Sequence, residues 1–210
     1  DLNALVAPPE VDWHKSYNGS GDESHPHYVI QTKDLGFLMV GETGFVEDRS
    51  AKIFLVKTDS GGKLLWQKEF GKRGYNLGNC ITEADDGNYI IARTLNFDAA
   101  LIKVEAKTGK TLWSKTWDLG SEDSFEGLTL SHDGGIVVTG YRDGLAEGTF
   151  LNWGKGLVLK TNEHGQEEWR RDLSDFTSSG YRIQKSGSGY ILCAHPKDEE
   201  SENFNLLSFD

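Results

Sequence analysis

The stretch Lys63-Leu64-Leu65-Trp66-Gln67-Lys68-Glu69-Phe70 decides the fold, because its centre recurs. A tryptophan, a basic residue two places on and a large apolar residue two places further stand at Trp13-His14-Lys15-Ser16-Tyr17, Trp66-Gln67-Lys68-Glu69-Phe70, Trp113-Ser114-Lys115-Thr116-Trp117 and Trp169-Arg170-Arg171-Asp172-Leu173. The tryptophans are 53, 47 and 56 residues apart. A repeat of about 50 residues built only from strand and turn signals is the mark of a β-propeller.

Working outward from Trp66, one unit reads as four strands. Tyr28–Thr32 is short, Phe37–Gly41 is fully apolar, Lys52–Asp59 is long, and Lys63–Phe70 alternates. Gly-containing turns at Lys33–Gly36 and Ser60–Gly62 join them as hairpins. The same order follows from Asn79, from Gly127 and from Tyr181. The chain therefore reads as an all-β protein, a β-propeller of four blades of four antiparallel strands. The blades cover about 20–70, 71–117, 118–173 and 174–210. Residues 10–17 align with a fourth strand, and the fourth unit stops after its third, so the N-terminal strand is expected to close the ring. A ring completed by a second chain or by further blades is the competing arrangement.

Side chains two apart in a strand share a face. Trp66, Lys68 and Phe70 thus form one stripe, read as packing between blades, and Trp117 is read as core. Burying one such indole is worth roughly 4–6 kcal/mol gross. Cys80 and Cys193 fall in opposite blades, too far apart for a disulfide, and both are expected to be free and buried.

The net charge is −11, from 33 acidic and 22 basic residues, with no basic stripe. Nucleic acid is not an expected partner. No apolar run approaches the ~18 residues of a membrane-spanning helix, so membrane insertion is not expected either. Acidity leaves cationic or metal partners open. Asn18-Gly19-Ser20 is a glycosylation sequon.

The pattern Trp-x-Lys-x-aromatic, Thr32 to Phe37 and Lys57 to Gly62 resembles the PQQ-like, or quinoprotein-like, propeller repeats of secreted and cell-surface proteins. The resemblance covers essentially all of the chain. It implies the propeller and an extracellular, cell-surface or periplasmic location. It does not imply the quinone, whose binding residues have no counterpart here, and no cofactor is expected beyond a divalent metal.

Variable loops on a rigid scaffold are where function sits. These loops are His14–His27, Glu42–Ser50, Gly71–Gly78, Asp118–Glu126, Arg142–Lys155, Asp172–Gly180 and His195–Asn203, all at one mouth. Trp153, the tryptophan outside the repeat, with Phe150 and Asn152 beside it, is the candidate for ligand stacking or partner docking. His25, His27, His195 and Asp22 form a candidate divalent-metal set, with Glu23, Asp198 and Glu199 in the same loops. Glu122, Asp123 and Glu126, with Glu47 and Asp48, offer the paired carboxylates a hydrolase or lyase would use. No nucleophile elbow supports Ser-His-Asp chemistry. The leading expectation is a non-catalytic binding or scaffold propeller recognising a protein or glycan through this mouth. The alternatives are a metal- or carboxylate-dependent hydrolase or lyase acting on saccharide or lactone, and a structural subunit of a larger assembly or homo-oligomer.

Overall fold

The computed structural model describes residues 10–45, 49–144, 154–197 and 203–209. Among the described residues, fifteen strands form four antiparallel sheets in sequence order. Blade one is β1 (Ser24–Gln31), β2 (Phe37–Thr43), β3 (Ala51–Thr58) and β4 (Leu64–Gly74). Blade two is β5 (Asn76–Glu83), β6 (Tyr89–Leu95), β7 (Asp98–Val104) and β8 (Thr111–Trp117). Blade three is β9 (Ser124–Leu130), β10 (Ile136–Arg142), β11 (Lys155–Thr161) and β12 (Glu167–Asp172). Blade four has three strands, β13 (Thr177–Ser186), β14 (Gly189–Pro196) and β15 (Asn205–Phe209).

The core lies between blades, which explains why the second strands are apolar on both faces. Leu38, Val40, Ile53 and Leu55 of blade one meet Ile81, Tyr89, Ile91 and Ile102 of blade two. The other face of blade two, with Ile90, Ala92 and Leu101, meets Phe125, Ile136 and Val138 of blade three. Val137 and Val158 then meet Ile183 and Leu192 of blade four.

The tryptophan stripe seats each blade on the next. Gly62, Gly109 and Gly165 stand in the turns between third and fourth strands at φ of +75°, +68° and +72°, a backbone that disfavours any side chain. A Cβ at Gly109 would lie 2.9 Å from the Trp66 ring, and one at Gly165 2.9 Å from Trp113. The Trp66 indole N–H donates to the Ala106 carbonyl at 2.9 Å. A second repeated device ties the same end of blades one to three. A lysine of the third strand reaches an aspartate of the first turn, Lys57 to Asp34 at 3.0 Å, Lys103 to Asp86 at 2.8 Å and Lys160 to Asp133 at 2.8 Å.

Two expectations need correction. Residues 10–17 form no strand, and no ladder joins them to β15 among the described residues. Their side chains nevertheless take the expected seat. The Trp13 ring lies 2.7 Å from the Cβ position of Gly62, 5.9 Å from the Phe37 ring, and the Tyr17 hydroxyl donates to the Gly62 carbonyl at 2.5 Å. The segment is held by ring packing on blade one rather than by a backbone ladder on blade four. Cys80 is buried, but Cys193 is exposed. In β14 the buried Leu192 and Ala194 face blade three, so Cys193 looks the other way. Its counterparts Val40, Ala92 and Thr139 are covered by the following blade; no described blade follows the fourth. Trp169 of blade three is 41% exposed, because the described part of blade four ends at β15 and has no turn after it to meet the ring.

Candidate functional site

Each inner strand carries a β-bulge at the same place, near its start at the variable-loop mouth. The ladder skips one residue between Pro26 and Tyr28, between Gly78 and Cys80, between Phe125 and Gly127, and between Gly180 and Arg182. The skipped residues are His27, Asn79, Glu126 and Tyr181. A bulge bends its strand and re-aims the extra side chain. Space opposite it is short: a Cβ on Gly41 or Gly140 would stand 1.8 or 1.9 Å from the carbonyl oxygen of His25 or Ser124. The fold thus presents four side chains of different chemistry from one repeated backbone feature.

Those side chains are linked across the blades. Asn79 Nδ2 donates to Ser124 Oγ at 2.9 Å, to the Phe125 carbonyl at 2.9 Å and to Glu126 Oε1 at 3.2 Å. The Ser124 hydroxyl donates to Glu126 Oε1 at 2.5 Å and receives Thr94 Oγ1 at 2.8 Å. The Asn79 side chain also stands beside the His27 ring. Burial pushes the Glu126 carboxyl pKa up, against the Ser124 bond and the pull of His27 and Arg182. Arg182, next to the Tyr181 bulge, donates to the Glu126 carbonyl at 2.7 Å and lies 5.0 Å over the Tyr28 ring of blade one. His195 meets Tyr181 edge-on, with centroids 4.7 Å apart, and burial pulls its pKa down.

The structure sorts the sequence candidates. His25 and His27 come together, and the residue that joins them is Glu42. Its Oε1 lies 3.5 Å from His25 Nδ1 and its Oε2 3.1 Å from His27 Nε2. Glu23 holds the other nitrogen of His25 at 2.5 Å. Both imidazole pKa values are pushed up, His25 first by its bond to Glu23 and His27 first by the Glu42 carboxylate beside it. Asp22 instead lines a small cleft with Ser20, Thr43, Ser50 and Lys52, and His195 belongs with Tyr181.

The three carboxylates also part company. Glu122 is buried and receives the Tyr141 hydroxyl at 3.3 Å. Asp123 is buried and accepts the backbone N–H groups of Leu119 and Asp143. Only Glu126 reaches the bulge network. Asp123 instead joins Asp98 and Asp118, with one oxygen of each within 4.8 Å of the others, an arrangement that could hold a cation. Burial raises the pKa of Asp98 and of Asp123, and the charge of Asp118 adds to it. Trp153, Phe150, Asn152, Glu47, Asp48, Asp198 and Glu199 lie outside the described residues.

Sequence reading missed Glu42, Asn79, Tyr181 and Arg182. The available signal was positional: His27 and Glu126 immediately precede the inner-strand run of their repeat, and Asn79 and Tyr181 begin theirs.

Fold and mouth together define a β-propeller with a polar, blade-spanning cluster at one end of its inner strands. Comparison with known proteins agrees on the class. The chain is similar to the Dos1 propeller, at 12% identity and a TM-score of 0.54, over 81% of this chain and 41% of that one. It is also similar to regucalcin from Agrobacterium tumefaciens, a calcium-binding protein, at 12% identity and a TM-score of 0.50, over 84% of this chain and 55% of that one. The chain spans about half the length of these propellers. No protein-family model matches the chain, and no curated protein matches it in sequence.

Proposed function

We propose that this chain is a non-catalytic binding or scaffold propeller that recognises a protein or glycan at the variable-loop mouth. The observation that carries the reading is the bulge repeated in all four inner strands with a different polar side chain in each. A repeat kept for packing alone has no need of His, Glu, Asn and Tyr at the one position the backbone turns out of the ladder. Rigid strands carry these groups and the loops beside them vary, which is how scaffolds present recognition surfaces. The PQQ-like character of the repeat supports placement outside the cytoplasm.

A glycan array and a peptide array probed with the wild-type chain test the reading. Tyr181→Ala and Glu126→Gln are expected to remove the signal while the melting temperature stays within about 3 °C, the effect of about 1 kcal/mol in a chain of this size. A ligand that binds both variants as well as the wild type would refute it.

One observation favours a second reading, a hydrolase or lyase for saccharide or lactone. Glu126 is a half-buried carboxyl beside His27 whose pKa burial raises, the direction a general acid requires. Turnover of aryl glycosides or lactones that Glu126→Gln abolishes would replace the first reading with this one. The structural-subunit reading rests on the outer face of blade four, where Phe204 and Leu206 are 82% and 67% exposed. A chain that stays monomeric at high concentration would count against it.

A further inference from the structure

We infer that His25, His27 and Glu42 form a binding site for a divalent transition-metal ion of the Zn²⁺ type at the mouth of blade one. Glu42 stands on β2 directly opposite His25 in the ladder and is 3% exposed, so its carboxylate has a fixed place beneath the two imidazoles. Its two oxygens serve different rings: Oε1 is 3.5 Å from His25 Nδ1 and Oε2 is 3.1 Å from His27 Nε2. Oε2 lies off the hydrogen-bonding line of that ring and makes no hydrogen bond. A buried carboxylate oxygen without a hydrogen bond is costly unless a cation faces it, and here only a protonated His27 or a bound metal ion would do so among the described residues.

Each ring's contact with the carboxylate has a spacing one small ion could bridge, and the three donors together stand wider than such an ion needs until the rings turn. Donors held about 2.0–2.2 Å from zinc at tetrahedral angles stand about 3.3 Å from each other, and the two nitrogen–oxygen separations fall on either side of that value. One ion would draw the rings toward each other by side-chain rotation, and His25, with its side chain 51% exposed, is free to turn.

The outer partners are those of a metal-binding histidine, whose second nitrogen is normally held by an oxygen that sets the tautomer. Glu23 Oε1 lies 2.5 Å from His25 Nε2, and the Asn79 side chain stands beside the His27 ring. Two imidazole nitrogens and a carboxylate favour zinc-type ions over calcium or magnesium, which take all-oxygen sites. Three protein donors leave a fourth position facing solvent for water or a ligand group. His195 and Asp22 stand elsewhere and are not members of the set.

Thermal melts in a non-chelating buffer test this, with ZnCl₂, CoCl₂ or CaCl₂ added alone. Zn²⁺ and Co²⁺ at about 100 times the dissociation constant are expected to raise the melting temperature by about 5 °C or more, and Co²⁺ to develop a visible band. Both signals are expected to vanish in His25→Ala and in His27→Ala, whose folding circular dichroism confirms, and to persist in His195→Ala and Asp22→Asn. Absence of a Zn²⁺ or Co²⁺ response in the wild type would overturn the proposal. So would a response kept by the His25→Ala/His27→Ala double variant, or one removed by Asp118→Asn, which would put the ion among Asp98, Asp118 and Asp123. Failure here leaves the ligand reading standing, because Tyr181→Ala and Glu126→Gln decide that one.

Discussion

Removing the charge of Asp34 should cost far more than removing that of its partner, Lys57. The Lys57 side chain is 2% exposed and its ammonium meets only two acceptors, Asp34 at 3.0 Å and the Thr58 carbonyl at 2.9 Å. Asp34 is 57% exposed. Deleting the acid strands a buried cation, whereas deleting the cation leaves an acid that water can solvate. Breaking a fully buried pair from one side costs about 3–5 kcal/mol. Water reaching the exposed Asp34 position replaces part of that, so Asp34→Asn should cost about 1–2 kcal/mol. Asp34→Ala also loses the turn bonds from Thr32 Oγ1 and the Gly36 N–H, worth about 1 kcal/mol more. Lys57→Met, which keeps the stem and drops the charge, should stay within about 1 kcal/mol of wild type. The double variant Asp34→Asn/Lys57→Met should then be more stable than Asp34→Asn alone. Urea unfolding gives the four free energies, and each kcal/mol appears as about 2–4 °C in a melt. Equal costs for the two single substitutions, with strict additivity in the double, would refute the argument.

The same pair sets an acid limit. The bonds from Thr32 first, and then from Lys57, hold the Asp34 pKa down at about 2, against 3.8 unperturbed. A depressed carboxyl stabilises the fold above its unfolded pKa and loses that contribution as pH falls, so stability should decline between about pH 4 and pH 2, and Asp34→Asn should flatten that slope. Arg93 is 2% exposed, its Nε and Nη1 make no hydrogen bond, and burial pushes its pKa down to about 9. Arg93→Met should therefore raise the midpoint of urea unfolding, by about 1 kcal/mol or more in stability; a loss would show that the guanidinium is needed where it lies. Cys193 should react with a maleimide in seconds to minutes while Cys80, buried and with its pKa raised by burial, stays unlabelled until unfolding; equal rates would contradict the packing of blade four.

The candidate site was only partly legible in the sequence. His25, His27 and Glu126 could be singled out because imidazoles and carboxylates in loop-like stretches are conspicuous. Glu42 could not, because the apolar run Phe37–Gly41 ends just before it and the residue reads as the first of a polar loop. In the structure β2 continues to Thr43 and buries Glu42 beneath both imidazoles. Asn79 and Tyr181 were hidden for a different reason. Simple alternation assigns a strand residue to one of two faces, and a bulge breaks that rule at a single residue.

The sequence by itself determined the repeat, the order of strands in each blade and the glycine turns that join them. These are local or periodic properties, set by side-chain alternation, by turn chemistry and by spacing along the chain. Only the tertiary structure decided which faces end up covered and which polar groups meet. Cys193 is exposed because burial in this architecture is supplied by the next blade, which no strand carries within itself. His25, His27 and Glu42 meet because a bulge in one strand and the register of its neighbour place three side chains from two stretches at one point.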